Sequence, residues 1–135
     1  MEYSILTMTN RDRRFYPLLG PFLARRAVIR AIGAPPYDEA QKIWCIAHCE
    51  QGVLGFVGLR VKISTAHIVS LYVLPRYRRS SIGTHLLERC CREAMAAECT
   101  TMTAVVRKAS VALFLNIGFT IRQELVNYVK VVKSC

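Results

Sequence analysis

Acidic residues are scarce in this chain. Nine Asp and Glu stand against 19 Lys and Arg, giving a formal net charge of +10 at pH 7. Two readings follow, a basic surface that keeps the protein soluble or a polyanionic partner such as nucleic acid. Long apolar runs are missing too. None approaches the roughly 20 residues a bilayer span needs, so no membrane contact is expected. Six cysteines are present, but no C-x-x-C pair, so there is no recognisable zinc spacing. Cys45 and Cys49 would share a strand face about 13 Å apart, too far for a disulfide. Free thiols, many of them buried, are the reading, with a metal site at His48 and Cys49 as the weaker alternative. No metal is expected. Repeats, low-complexity tracts and long linkers are also absent. A chain of 135 residues that is 53% hydrophobic then reads as one domain, residues 1–135, with its own core. The opening segment carries its positive charge after its apolar residues, unlike a signal peptide. A cytoplasmic protein is the expectation.

What is present is an alternation of strands and helices. Glu2–Met8 reads as a short strand, and Thr9-Asn10-Arg11-Asp12 has capping-box spacing, which marks a helix start. Phe15, Leu19, Phe22, Leu23 and Ala27 follow at mixed helical spacing. Pro17 and Gly20-Pro21 interrupt them, so two short helices are expected. Residues 33–38 form a loop. Ile43–Cys49 and Val53–Lys62 make a hairpin around Glu50-Gln51-Gly52. Ala66–Val73, apolar on both faces, is a central strand. Ile82–Glu98 is an amphipathic helix with Glu88 and Arg92 as an outward i,i+4 pair. Thr101–Val106 is a strand, Ser110–Asn116 a short helix closed by Gly118, and Phe119–Val132 one or two final strands. The fold class is α/β (α+β): a mixed central sheet flanked by helices.

The densest signal lies between Leu71 and Leu87. A strand runs into Pro75-Arg76-Tyr77-Arg78-Arg79-Ser80-Ser81 and then into a helix opening Ile82-Gly83-Thr84. A small-residue turn at a helix N-terminus aims several N–H groups at one point, which suits a pyrophosphate.

In order and spacing these segments resemble the GNAT superfamily of acyl-CoA-dependent N-acyltransferases. Its R/Q-x-x-G-x-G/A loop after V-x-P is matched by Val73-Leu74-Pro75 and by Arg78 to Gly83, with Ser81 at the middle glycine. Its later Y-x-x-x-G-F is matched by Phe114 to Phe119, with Phe114 at the tyrosine. An asparagine common seven residues earlier is Arg107. The resemblance covers nearly the whole chain. It implies acetyl-CoA as co-substrate, with its pyrophosphate on Arg78, Arg79, Ser80, Ser81, Ile82, Gly83 and Thr84. It also implies that the pantetheine amides pair with the open edge of Leu71, Tyr72 and Val73, with Phe114 beside the cofactor. The thioester would lie between Ala66–Val73 and Thr101–Val106.

Acyl transfer needs a base for the amine and a donor for the thioester oxygen. A backbone N–H near Val73 would serve the oxygen. Relatives often carry a glutamate before L-Y-V; here the residue is Ser70. His67 and Glu50 are the candidate bases, His67 because an imidazole titrates near neutrality. Its alternative reading is a packed strand histidine. Phe114 has no proton to give. Either the thiolate leaves unaided, or Tyr72, Tyr128 or Ser110 substitutes, or acyl-CoA binds without efficient transfer. The early arginines, Arg11, Arg13, Arg14, Arg25, Arg26 and Arg30, join Phe15, Tyr16 and Phe22 where relatives choose their acceptor. Phe15 and Phe22 read first as core. Acyl-CoA and an amine are the expected partners. A nucleic-acid-associated module, including acylation of a nucleobase or tRNA, is the alternative, and a homodimer is a further candidate.

Overall fold

Strand-forming residues at period two, between a helical first quarter and an amphipathic helix, dictate a sheet with two dressed faces. The computed structural model describes residues 2–33 and 41–135. The elements run β1 (Ser4–Met8), α1 (Phe15–Leu23), α2 (Arg26–Ile32), β2 (Ile43–Cys49), β3 (Gly52–Lys62), β4 (Thr65–Val73), α3 (Ile82–Ala96), β5 (Thr101–Arg107), α4 (Val111–Asn116), β6 (Thr120–Glu124) and β7 (Tyr128–Ser134). Short 3-10 turns at Pro75–Tyr77 and Lys108–Ser110 precede α3 and α4. One seven-stranded sheet of order β1-β2-β3-β4-β5-β7-β6 results. Only β4 and β5 pair in parallel. The expected mixed sheet with helices on its faces is what forms, and β4 lies at its centre.

Each face has its own core. On one, α3 and α4 cover Ala47, Val57, Leu59, Ile68, Met102, Ala104 and Val131, with Leu86, Leu87 and Phe114 from the helices. On the other, α1 and α2 bring Phe15, Leu19, Phe22 and Val28 onto Trp44, Ile46, Phe56 and Tyr72. Four aromatic rings there lie in series: Phe15–Trp44 at 5.8 Å, Trp44–Phe56 at 5.9 Å and Phe56–Tyr72 at 5.6 Å. Burying rings of this size stabilises by roughly 2–3 kcal/mol each before their entropy cost. Phe15 and Phe22 are therefore core residues.

Several local expectations change. Thr9 does not cap a helix. Asp12 N–H bonds Thr9 O at 3.2 Å, and Asp12 Oδ1 accepts the Arg14 N–H at 2.9 Å, so a turn ending at Asp12 leads into α1. The helices divide at Ala24–Arg25, not at Gly20-Pro21: Pro17 falls in the first turn, where its missing N–H costs nothing, and Pro21 is carried inside α1. Val28 rather than Ala27 is buried in α2. The ion pair on α3 is Arg89–Glu93 at 3.7 Å, not Glu88–Arg92. The loop expected over 33–38 lies outside the described residues from residue 34 onward. All six cysteines are free, with Cys45, Cys90 and Cys99 buried. Among the described residues no His, Cys, Asp and Glu cluster could hold a metal ion, and no helix is long and apolar enough to cross a membrane.

Candidate active site

The centre of the sheet is split. The β4–β5 ladder runs Thr65–Thr101, Ala66–Met102, His67–Thr103 and Ile68–Ala104, and then ends. Beyond Ile68 the backbone of β4 has no strand on that side among the described residues. Its other edge stays paired with β3 up to Gly55–Val73. A gap therefore opens between residues 69–73 and 105–107, one edge lined with free peptide groups.

A β-bulge shapes that edge. Gly58 pairs with Val69 and Phe56 with Tyr72, so one residue of β3 faces two of β4. Ser70 takes up the extra residue with φ of 59°. Gly55 lets the strands close up again, since a Cβ there would meet Tyr72 O at 2.7 Å. Past the bulge, Leu71 and Val73 pack toward the α3 face and Tyr72 toward α1 and α2.

The strand then delivers the turn. Arg78 Nε donates to Val73 O at 2.8 Å, and its guanidinium lies 5.4 Å from the Tyr72 ring centre. Arg79 adopts φ of 62°, and Ser80 Oγ donates to Tyr77 O. The first backbone bond of α3 runs from His85 N to Ser81 O. The N–H groups of Ile82, Gly83 and Thr84 thus stand ahead of the helical ladder, with no side-chain cap and no acidic residue in the first turn. Gly83 is buried, and a Cβ on it would meet Leu113 Cδ2 of α4 at 3.1 Å and Val73 Cγ2 at 3.9 Å. Strand end, helix start and α4 converge at that glycine. This cradle and the split edge fit a ligand with a diphosphate followed by an amide-bearing arm.

Phe114 faces inward at 1% exposure and meets Phe119 edge-on, ring centres 5.3 Å apart. Its ring is committed to the core beneath α4.

His67, Thr103, Val105, Lys130 and Tyr128 share the other face of the sheet, as the buried positions alternating with them show. His67 Nδ1 lies 2.7 Å from Thr103 Oγ1. Partial burial, and then the charges of Arg60 and Lys130, hold the His67 pKa below the ordinary histidine value. It is half-buried at the apex of the split. Tyr128 pairs with Arg107, and both side chains meet the C-terminus of α2. A Cβ on Gly33 would lie 2.7 Å from Tyr128 Oη and 3.1 Å from Arg107 Nε. Glu50 sits elsewhere, on the exposed β2–β3 turn. It borders an open depression of about 1820 Å³ over α3, with Tyr3, His85 and Arg89. That depression touches the cradle only at Thr84.

The structure thus gathers Leu71, Tyr72, Val73 and the residues from Arg78 to Thr84 at one end of the split. His67 lies at its apex, Tyr128 flanks its mouth, and Glu50 stays apart. Sequence reading passed over Thr103. Its contact with His67 depends on a register across a parallel crossover, which leaves no local signal.

Comparison with known proteins bears on the whole assembly. Residues 8–119 match the model of the acetyltransferase (GNAT) family. No curated protein matches the sequence. Among solved structures, a GNAT-family acetyltransferase from Streptococcus pneumoniae superposes with a TM-score of 0.78 at 16% identity, over 99% of this chain and 100% of that one. The PaiA N-acetyltransferase of Thermoplasma acidophilum, solved with coenzyme A, gives 0.72 at 13%, covering 100% of both chains. A GNAT acetyltransferase from Elizabethkingia anophelis with acetyl-CoA bound gives 0.71 at 14%, over 98% of each. The split sheet, the cradle at α3 and the family match agree: this chain belongs to the GNAT acetyltransferase family and is an acyl-CoA-dependent N-acyltransferase, with acetyl-CoA as co-substrate.

Proposed function

We propose that the protein moves an acetyl group from acetyl-CoA directly to a primary amine, with His67 taking the proton of the amine. One observation carries this reading: the β4–β5 ladder ends at Ile68–Ala104, and the edge it leaves open leads to the unladdered N–H groups of α3. Arg78 to Thr84 would hold the pyrophosphate through backbone N–H groups, with Arg79 adding charge. Leu71, Tyr72 and Val73 would pair with the amides of the pantetheine arm as an added strand does. Phe114 supports the site by packing α4 against Phe119.

Acetyl-CoA brings an activated acyl carbon on a thiolate leaving group. The chain must then orient the amine and accept a proton. With Nδ1–H donating to Thr103 Oγ1, the Nε2 atom of His67 keeps its lone pair for that proton. Its lowered pKa leaves the ring neutral at pH 7. A backbone N–H near Val73 would face the oxygen on which charge develops. No acid is required: a thiol pKa of about 8.5 makes the thiolate a tolerable leaving group. Glu50, on the α3 side, is worse placed to take a proton at the split, and Tyr72, buried against Phe56, is poorly placed to give one.

Free thiol release from acetyl-CoA, read across small amines, peptides and polynucleotides, tests the activity. His67→Gln is expected to lower kcat/KM by about 100-fold, with coenzyme A affinity by calorimetry unchanged. Retained activity would remove His67 from the mechanism; failure to bind coenzyme A would remove the cradle. Acylation confined to polynucleotides would favour a nucleic-acid acceptor.

A further inference from the structure

We infer that the acceptor is a primary amine that also carries an anionic group, a carboxylate or a phosphate, recognised by Lys130 and Arg107 along the acceptor side of the split. This rests on the acyl-transfer reading above.

The cradle and α4 lie on the α3 face of the sheet, so a thioester threaded through the split emerges on the opposite face, where His67 and Thr103 lie. The acceptor must approach that face. Lys130 stands opposite Val105, the first β5 residue beyond the last β4–β5 rung, and Arg107 lies two residues further toward the mouth. From Ala104 to Arg107 the strand spans roughly 10 Å. Two cations therefore line the path from the apex outward.

Neither has an ion pair or hydrogen bond among the described residues. The acidic groups whose positions are described are elsewhere. Glu2, Glu50 and Glu88 border the depression over α3, Glu93 pairs with Arg89, and Glu124 aligns with buried Val129. The charge is felt locally, since after burial, Arg60 and Lys130 also push His67 toward its neutral form. A catalytic face that repels protons from its own base also repels ammonium groups. An anionic substituent on the acceptor offsets that repulsion, and Arg107 can hold it through two parallel N–H···O bonds. Tyr128 Oη, at the same α2 terminus as Arg107, adds a neutral donor.

The test compares matched acceptors with saturating acetyl-CoA: amino acids against their amides, and glucosamine 6-phosphate against glucosamine. The anionic member of at least one pair is expected to have kcat/KM about tenfold or more higher, and the pair showing it tells carboxylate from phosphate. Arg107→Gln and Lys130→Gln should each erase that preference, mainly through KM. The neutral member should change by less than about threefold in Arg107→Gln, and in Lys130→Gln when assayed well above the acid limb of His67. Equal rates within every pair, or equal losses for both members in the variants, would overturn the inference.

A second measurement needs no turnover. With the protein saturated by coenzyme A, so that the cradle is filled, glutarate or inorganic phosphate is titrated calorimetrically. Binding that disappears in Arg107→Gln supports the site; no binding overturns it. A residue that merely braced α2 would instead show in the melting temperature of Arg107→Gln. Failure to bind coenzyme A would sink the underlying acyl-transfer reading, whereas coenzyme A binding with indifferent acceptors sinks only the anion assignment.

Discussion

The two halves of the sheet are finished differently. β1 to β4 are covered on both faces, by α3 on one and by α1 and α2 on the other. β5 and β7 are covered on the α3–α4 face, β6 is exposed along its length, and Val105 on the opposite face stays 46% exposed. The first half is a double-sided core. The second is a wall whose other surface is only partly covered and carries Thr103, Lys130, Arg107 and Tyr128, the last two against the end of α2. The seam between them is the only parallel pairing among the described residues, and it stops after four rungs. In the proposed mechanism, stability is concentrated on one side of the seam and recognition on the other. That mechanism puts the chemistry where the two meet.

That contrast can be broken or sharpened by substitution. The largest expected effect is Phe56→Ala, which empties the middle of the aromatic series and should cost about 3–5 kcal/mol in urea unfolding. On the partly covered half, Val105→Thr should change stability by less than about 0.5 kcal/mol. Comparable losses at both sites would mean that the second half is covered after all. At the seam, Gly83→Leu forces atoms into the space that Leu113 and Val73 already border. Calorimetry should show coenzyme A affinity falling by at least about 100-fold, which is about 2.7 kcal/mol. A fold shown intact by circular dichroism would place that loss in the cradle.

A subtler effect is on pH. Burial and then Arg60 and Lys130 lower the His67 pKa, so the acid limb of kcat/KM should fall below pH 6.5. Lys130→Met removes one of those charges and should move the limb upward. A limb that does not move would assign it to another group. The smallest effect expected is at Phe114→Tyr. The ring is committed to the core, so kcat should stay within about threefold while the melting temperature drops, because the new hydroxyl is buried. A large rise in kcat would show that a missing acid limits the enzyme.

Much of the covered half was legible in the chain. Ile43–Cys49 reads as a strand at its observed bounds, and the apolar character of 66–73 on both faces placed β4 in the centre. The turn at 78–84 was legible because small and basic residues between a strand and a helix admit few structures. What the sequence hid were the features that depend on counting across strands. Ser70 is an ordinary polar residue in the sequence, and nothing local marks it as a bulge. The capping pattern at Thr9 failed because Asp12 spends its carboxylate on Arg14. The contact between His67 and Thr103 required two segments 36 residues apart to settle in one register.

The bulge at Ser70 also resets the phase of β4. Before it, odd-numbered residues such as His67 and Val69 look toward the α1 and α2 face; after it, even-numbered Tyr72 does. One surplus residue thus lets a single strand place a titratable ring on one face and still return an aromatic to that face further along, with Leu71 and Val73 sent to the other. Removing it would invert everything downstream: Tyr72 would trade places with its neighbours, and the carbonyl that anchors Arg78 would turn with them. The strand behaves as two rulers joined out of step, and the active site is read at the joint.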